Sequence, residues 1–331
     1  MPPRAVTGLM PMTITLKPAE VTEKYGRLFC RGLYTLVDEG NGVARIIEEC
    51  SAKGPVEWDA VNRRRAGGAI ENIRVDGTTL IMDTIIGERE VHFGPASKDL
   101  GGQGLKALRV EGDEVKTTWV GLAGASVGIG ACLPQGPGTI CAEYPDEVWI
   151  GGAHRVEVTI TTPKLARVIF AVDDTDTKDK GASWVLLLKC ARASPVGHFL
   201  EHKIVQLNPS APDKTTQCVA VGISFAVAER DIQQLKEYVV KFVKESTFSS
   251  NTALAMLNSL RIPKALLDYG MDAKTKIMTV EQARKAAMAG GAELIEITGT
   301  RGMIGALAGI GCFDMGIRAA GLPEDFSEDS P

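Results

Sequence analysis

The fold of the C-terminal half is decided by residues 168–176, VIFAVDDTD, where five apolar residues run directly into three carboxylates. A short, wholly apolar run is typical of a strand buried on both faces of a sheet. The carboxylates of Asp173, Asp174 and Asp176 repel one another, and each is costly to bury without a counter-charge. The pattern predicts an acidic turn at the end of a central strand, where α/β sheets bind their ligands.

This acidic turn has the composition of a magnesium and phosphate site. Mg²⁺ prefers oxygen ligands and commonly uses one or two carboxylates together with substrate phosphates. Lys178 and Gly181 follow the carboxylates, and a helix is expected over about residues 182–193. The N-terminus of that helix would offer free amides and a positive dipole to phosphate. The alternative is an acidic turn that is merely solvated.

Two further loops could complete such a site. One leaves a strand, carries Asn208, turns at a proline and presents Lys214 and Thr215, a point charge and a hydroxyl for phosphate. The other is the segment 299–305, GTRGMIG, which lies between an expected strand and an expected helix. Its amides could surround phosphate, with Arg301 as a planar cation. Tight packing of a helix on the sheet explains its glycines equally well.

The remaining pattern predicts an α+β or α/β chain with about two domains. Residues 13–119 are expected to be mostly β, with strands near 79–82, 90–93 and 114–119 and turns at Asp76-Gly77 and Gly112-Asp113. We expect a β-rich N-terminal domain over 1–163, an α/β nucleotide-binding domain over 164–322, and an acidic tail over 323–331. Further elements are expected at 203–208, 217–227 and 293–297 (strands), at 230–245 and 303–311 (helices), and in a helix starting at Thr279, whose spacing to Gln282 is that of a capping box.

Composition excludes several classes of protein. Apolar residues make up 44% of the 331 positions, and the net charge of −4 gives no global basic field for nucleic acid. The apolar runs are too short to span a bilayer, and no signal peptide is evident, so a cytoplasmic location is expected. The dispersed seven cysteines indicate free thiols.

Three minor features have open interpretations. The arginines at 63–65 beside Trp58 are either an RNA-binding platform or a solvated charged face. His198 and His202 could share one helical face as metal ligands, although solvated histidines are the simpler interpretation. The glycine-rich stretches 121–130 and 302–311 look alike, either by duplication or by similar packing demands.

Taken together, the motifs resemble a known family. The segment 172–176, then Gly181, then 207–209 with Lys214-Thr215, then 301–308 occur in the order found in the kinase-like domain of archaeal agmatidine synthetase, which modifies an isoleucine tRNA. The resemblance covers about residues 167–320, and the full-length arrangement resembles the methanogenesis marker protein 11 family. It implies ATP and Mg²⁺ as cofactors. By resemblance, the metal ligands are Asp173, Asp174 and Asp176, and the nucleotide-binding residues are Thr175, Lys178, Gly181, Ser183, Asn208, Lys214, Thr215, Thr300, Arg301 and Gly302.

The sequence also departs from that family. The family continues its first glycine with paired threonines, one of which takes phosphate, whereas this chain has Ala182 and Ser183 there. After the lysine-threonine pair the family has arginine and glycine, whereas this chain has residues 216–218, TQC. No counterpart of the family's downstream OB and zinc modules is expected. The nucleotide half of the resemblance is therefore better supported than the tRNA half.

Three functions fit these residues. The first is an ATP- and Mg²⁺-dependent enzyme, with Asp174 and Lys214 as catalytic residues, that activates an acceptor by phosphoryl transfer. The acceptor is a small molecule, a protein or an RNA, recognised by the N-terminal domain. The second is a nucleotide-gated maturation or assembly factor for methanogenesis enzymes. The third is an RNA-binding or tRNA-modifying protein.

Overall fold

One long strand, Arg155–Asp173, supplies residues to both structural units of the chain, which are Met1–Leu165 and Ala166–Pro331. The structure is a computed structural model, and it describes residues 13–93, 101–145, 150–215 and 217–326. Thr162 and Pro163, where the sequence suggests a domain boundary, lie inside this strand rather than in a linker. Residues 323–326 of the expected tail form a 3-10 turn, and the rest of that tail lies outside the described residues.

The N-terminal unit is rich in β structure, as predicted. Its strands are β1 (Thr13–Leu16), β2 (Cys30–Asp38), β3 (Val43–Cys50), β4 (Ile70–Asp76), β5 (Thr79–Ile85), β6 (Gly87–Glu88), β7 (Gly102–Glu111), β8 (Glu114–Leu122), β9 (Cys141–Pro145) and the first part of β10 (Arg155–Asp173), with helices α1 (Pro18–Tyr25) and α2 (Lys53–Ala66). Their pairing order is β4-β5-β3-β2-β10-β8-β7-β6, and β9 pairs with β10 and β1.

The local turn predictions for this unit are confirmed, whereas one strand prediction is wrong. The β4–β5 and β7–β8 hairpins turn at Asp76-Gly77 and Gly112-Asp113, and both glycines have the positive φ that such turns require. The stretch 90–93 forms only an isolated bridge between Val91 and Gly67. Helix α2 was missed because its core-facing positions include charged residues.

The C-terminal unit contains a five-stranded sheet in the order β11 (His198–Gln206), β12 (Val219–Val227), β10, β13 (Ala253–Asn258), β14 (Glu293–Glu296). The apolar run of β10 is its central strand and is fully buried, as predicted. Every pair in this sheet is antiparallel, whereas such runs are commonest in parallel sheets. Both faces are covered by helices, which explains the continuous apolar sequence.

The helices of this unit are α3 (Ser183–Arg192), α4 (Ile232–Ser246), α5 (Lys264–Thr275), α6 (Val280–Gly290) and α7 (Met303–Gly311). Helices α3 and α4 share a core with Val168, Phe170 and Val172, and α5 to α7 share the opposite core with Ile169 and Ala171. This division follows the alternation of side chains along a strand. The predicted helices are confirmed, including the reciprocal capping box at the start of α6. Neither β13 nor α5 was predicted.

The two glycine-rich stretches have different conformations. Residues 302–311 lead into and form helix α7, whereas 121–130 contain the end of β8, a 3-10 turn and the start of a π-helical turn. In α7 the glycines allow close contact, because a Cβ on Gly311 would lie 2.1 Å from the carbonyl oxygen of Leu266. The sequence likeness therefore corresponds to no repeated structural element, and close packing accounts for the glycines of α7.

Candidate functional site

Four loops of the C-terminal unit meet at one edge of its sheet. Strand β10 ends at Asp173, which is paired with Ala253 at the start of β13, and Ala253 is paired with Glu296 at the end of β14. On the other side, Gln206 at the end of β11 is paired with Val219 at the start of β12. In an antiparallel sheet, one edge collects strand ends and strand starts alternately. The loops 174–182, 207–218, 247–252 and 297–302 therefore lie at the same edge.

A pocket of about 230 Å³ opens among three of these loops, 174–182, 207–218 and 297–302. Several of the predicted site residues line it, and they come from three separate loops and from α3. Apolar side chains from α3, β12 and the α5–α6 connection complete its wall. The predicted residues that line it are Asp173, Asp174, Asp176, Gly181, Ser183, Asn208, Lys214, Thr215 and Arg301.

The carboxylates of the acidic turn line this pocket, and the backbone of the turn has a constrained conformation. Asp174 has φ of +56°, in the left-handed region that non-glycine residues adopt rarely, and its amide donates to Oδ1 of Asp173 at 2.8 Å. Burial, followed by the charges of Asp174 and Asp176, raises the pKa of Asp173 to about 8. A carboxyl in such surroundings favours a cation beside it when it is ionised.

Arg301 is already paired within the pocket. Its Nε and Nη2 donate to the two carboxylate oxygens of Asp174, at 2.8 and 3.1 Å, and its Nη1 lies 3.8 Å from Oδ1 of Asp213. The bond to Asp174 raises the pKa of the guanidinium, which is charged at any ordinary pH. The fork geometry of this pair holds Arg301 at the pocket wall.

The loop 207–218 contributes a hydroxyl, an amide and an ammonium group. The hydroxyl of Thr215 donates to Oδ1 of Asp176 at 3.0 Å, joining this loop to the acidic turn. Asn208 uses its side-chain oxygen to accept from the amide of Ser210 at 2.9 Å. Lys214 is exposed, and its ammonium donates to the carbonyl of Pro209 in its own loop.

Several predicted residues lie away from the pocket or have other partners. Thr175 is buried, and its hydroxyl donates to Oγ of Ser183 at 2.8 Å, so that the hydroxyl of Ser183 is engaged at the first turn of α3. Lys178 is exposed in the loop and does not line the pocket. Neither Thr300 nor Gly302 lines it.

The amides of the 299–305 loop are largely used within the protein. The amide of Gly302 donates to the carbonyl of Asn251 at 2.9 Å, and the amides of Met303 and Ile304 donate to carbonyls of residues 300 and 301. These three amides are therefore already paired in this conformation, and phosphate binding by the amides of this loop stays a prediction. Gly302 is required for a different reason, because its Cβ would lie 2.6 Å from the amide nitrogen of Ala253.

Gly305 allows Asp173 to reach the pocket. A Cβ at this position of α7 would lie 1.7 Å from Oδ2 and 2.5 Å from Cγ of Asp173. No side chain fits there unless the carboxyl group moves, since real Cβ contacts are essentially never closer than about 3 Å. Helix α7 and the acidic turn are thus matched to each other at this glycine.

The sequence did not predict the loop that donates hydrogen bonds to the backbone carbonyls of the acidic turn. The segment 247–252 lies between α4 and β13, and the hydroxyl of Thr252 donates to the carbonyl of Asp174 at 2.6 Å. The amide of Phe248 donates to the carbonyl of Thr175 at 2.9 Å. A signal was present, because residues 246–252, STFSSNT, contain a single apolar side chain after an amphipathic helix.

The donor set fits a magnesium ion that is shared with phosphate better than a closed metal site. Within residues 13–93, 101–145, 150–215 and 217–326, no group of three or more His, Cys, Asp or Glu side chains is arranged to hold a metal. Asp174 is occupied by Arg301, which leaves the carboxylates of Asp173 and Asp176 facing the pocket. One or two carboxylates are the usual protein share in a magnesium–nucleotide site.

Arg63 and the two histidines have positions that do not fit their ligand interpretations, whereas the RNA interpretation of the exposed Trp58 and Arg64 stays a prediction. Arg63 is fully buried in α2, where it pairs with Glu48 at 2.6 Å and Asp59 at 3.3 Å and lies over the ring of Trp119. It is unavailable to RNA, because an ion pair with two carboxylates in the core occupies it. His198 and His202 lie on strand β11, not on a helical face. The seven cysteines are free thiols, as predicted.

No helix in the described part of the chain is both long and apolar enough to cross a membrane.

Comparison with known proteins supports the resemblance in the C-terminal unit. Residues 169–231 match the model of the TiaS TCKD domain, a segment that includes the acidic turn and the loop 207–218. The tRNA 2-agmatinylcytidine synthetase TiaS of Pyrococcus horikoshii is 35% identical over 113 residues, which are 33% of this chain and 26% of that protein. The TiaS of Thermococcus sibiricus is 31% identical over 44% of this chain and 35% of that protein.

The solved structure of TiaS in complex with its isoleucine tRNA and ATP covers 44% of this chain and 36% of that chain, with 22% identity and a TM-score of 0.40. This chain thus spans about a third of the TiaS proteins that it matches. A different relative matches along nearly its whole length: the uncharacterized protein MJ0921 of Methanocaldococcus jannaschii is 31% identical over 298 residues, which are 89% of this chain and 97% of that protein. The chain belongs to the same protein family as MJ0921.

Proposed function

We propose that the C-terminal unit binds ATP with Mg²⁺ and that the protein activates an acceptor by phosphoryl transfer. The observation that carries the proposal is the pocket, which collects Asp173, Asp176, Thr215 and Arg301 from separate loops at one edge of the sheet. The match of the segment 169–231 to the TiaS TCKD domain supports the same assignment.

In this proposal Asp173 and Asp176 hold the metal ion, which supplies positive charge to the phosphate oxygens. Lys214 and Arg301 add further positive charge, and Asp174 orients Arg301 at the pocket wall. Phosphoryl transfer depends mainly on positioning and on neutralising charge, so these residues suffice without a covalent intermediate on the protein. Asp174 and Lys214 keep their proposed catalytic roles. Asp174 joins the metal ligands only if Arg301 turns toward phosphate.

The proposal is tested by measuring ATP affinity calorimetrically with and without Mg²⁺. Asp176→Asn removes one carboxylate from the pocket, and we expect the affinity for ATP in Mg²⁺ to fall about tenfold or more, with little change in its absence. Asp179→Asn is the matched control, because it removes the same charge from the same loop at an exposed position. Equal Mg²⁺-dependent affinity in wild type and Asp176→Asn would refute the proposed site.

A second function is favoured by the surroundings of the Ser183 hydroxyl. Its hydroxyl is buried against Thr175, and the neighbouring position in the sequence is Ala182, where the resembling family has paired threonines. We propose as the alternative a nucleotide-gated maturation or assembly factor that binds ATP without transferring phosphate. Incubation with labelled ATP and fractions of cell extract separates the two, since only the enzyme forms a labelled acceptor.

The proposal also concerns the chemical class of the acceptor. An RNA acceptor is supported by the similarity to TiaS, whose curated name is that of a tRNA-modifying synthetase. Binding of tRNA that weakens steeply with added salt would support it, and a lack of such binding would exclude it. A small molecule or a protein is then the acceptor. Membership of the methanogenesis marker protein 11 family, a role in methanogenesis and a cytoplasmic location are also proposals, supported by the full-length arrangement of the sequence.

A further inference from the structure

The backbone carbonyls of the acidic turn accept hydrogen bonds from hydroxyl groups that do not line the pocket. Thr252 is completely buried, and its hydroxyl donates to the carbonyl of Asp174 at 2.6 Å. It also contacts the hydroxyl of Thr247, which donates to the carbonyl of Thr175 at 3.2 Å. Two successive carbonyls of the acidic turn are thus bound by two threonines of the 247–252 loop.

The same loop is anchored on its other side. The amide of Thr252 donates to the hydroxyl of Thr298 at 2.9 Å, and that hydroxyl donates to the carbonyl of Ser249 at 2.8 Å. The carbonyl of Thr252 accepts from the amides of Ile297 and Thr298 at 3.1 Å. Thr252 therefore connects the exit of strand β14 with the acidic turn through both its backbone and its side chain.

The backbone of Asp174 explains why this contact matters. A non-glycine residue at φ of +56° is disfavoured by the clash of its Cβ with the backbone, and it persists only where the surroundings hold it. The orientation of the Asp174 carbonyl depends on that conformation. If the hydroxyl of Thr252 is absent, a buried carbonyl loses its partner and the turn gains freedom to leave this conformation.

We propose that Thr252 is a positioning residue of the acidic turn, which uses its hydroxyl to keep the carboxylates of Asp173, Asp174 and Asp176 in the arrangement that binds metal and phosphate. The inference rests on the proposed function of the pocket. Thr252 itself touches no ligand in this scheme, since it is buried beneath the turn and does not line the pocket.

The test compares Thr252→Val, which removes the hydroxyl with little change of shape, with Thr252→Ser, which keeps it. Thr35→Val is the matched control, because Thr35 is buried in the N-terminal unit and accepts a hydrogen bond from Thr162 at 2.8 Å. The first readout is amide hydrogen exchange of peptides covering residues 173–177, without nucleotide. The second is the Mg²⁺ concentration that gives half-maximal ATP binding.

We expect exchange in 173–177 to accelerate about tenfold in Thr252→Val, the factor that corresponds to about 1.4 kcal/mol from one lost buried hydrogen bond. The Mg²⁺ requirement should rise by a similar factor. Thr252→Ser should behave as wild type in both readouts, and Thr35→Val should lower thermal stability while changing neither.

Unchanged exchange in Thr252→Val, or an equal increase in Thr35→Val, would overturn the positioning role. Failure of the wild-type protein to bind ATP with Mg²⁺ would instead refute the proposed function. The exchange readout needs no nucleotide, so it decides whether Thr252 holds the turn in either case. Rescue by serine distinguishes the loss of the hydroxyl from a general loss of packing.

Discussion

Substitution of Gly305 by alanine should weaken the binding of ATP with Mg²⁺ while the protein keeps most of its stability. Gly305 lies in the third position of α7, and a Cβ there would stand 1.7 Å from Oδ2 of Asp173. The obstructing atom is the end of a short side chain, so the least costly response is rotation of the carboxyl group away from the helix. The pocket would then lose the carboxylate of Asp173, which is one of the two that face the pocket and are not paired with Arg301.

The effect on stability is the difference between two opposing terms. Overpacking a buried site costs about 1–3 kcal/mol. Replacement of glycine by alanine inside a helix contributes about 1 kcal/mol in the other direction. The free energy of unfolding should therefore fall by about 2 kcal/mol at most, which a folded domain with about 5–15 kcal/mol of stability tolerates. The affinity for ATP in Mg²⁺ should fall about tenfold or more, because a displaced carboxylate no longer meets the metal.

The assay combines denaturant unfolding with calorimetric titration of ATP in Mg²⁺. Gly54→Ala is the matched control, since Gly54 lies in helix α2 and a Cβ there meets nothing within 4 Å. We expect this control to keep its ATP affinity and to change stability by less than about 1 kcal/mol, because Gly54 precedes Pro55 near the start of the helix and gains little from alanine there. A Gly305→Ala protein that binds Mg²⁺ and ATP as tightly as wild type would refute the assigned role of Asp173.

Two further predictions concern the buried ion pairs of α2. Arg63→Met should lower the free energy of unfolding of the N-terminal unit by about 3–5 kcal/mol, because Glu48 is left charged in the core, whereas Arg65→Met on the same helix should change it by less than about 0.5 kcal/mol. Burial raises the pKa of Asp59 from its ordinary value of 3.8 to about 6, against the opposing charge of Arg63. The folded state therefore binds more protons than the unfolded state over this range, so the contribution of Asp59 to stability should fall by about 3 kcal/mol as the pH rises from about 4 to about 6. The raised pKa of Asp173 adds a fall of the same sign, so denaturant midpoints should fall across this range in wild type and fall less steeply in Asp59→Asn. A wild-type stability that rises over the same range would contradict the prediction.

Local chemistry explains which parts of the structure could be predicted. The turn dipeptides, the capping box at Thr279 and the apolar run before Asp173 each depend on residues within a few positions of one another. Their conformations are set by φ preferences, capping hydrogen bonds and side-chain periodicity, which the sequence displays directly. Arg63 shows the limit of such reasoning. Three adjacent arginines suggest a solvated face, but the carboxylate of Glu48, which lies 15 residues earlier on strand β3, makes one of them a core residue.

The acidic turn and its composition were determined by the sequence alone, as was the presence of glycine and lysine in neighbouring loops. Only the tertiary structure decided how they are used. The antiparallel order of the sheet places strand ends beside strand starts, so the loop 247–252 contacts the acidic turn. Nothing in the sequence of this loop predicts its hydrogen bond to the carbonyl of Asp174. Likewise, Arg301 is bound by Asp174, and Gly305 serves contact with Asp173. Pairings between residues far apart along the chain depend on strand order and register, which local sequence patterns do not contain.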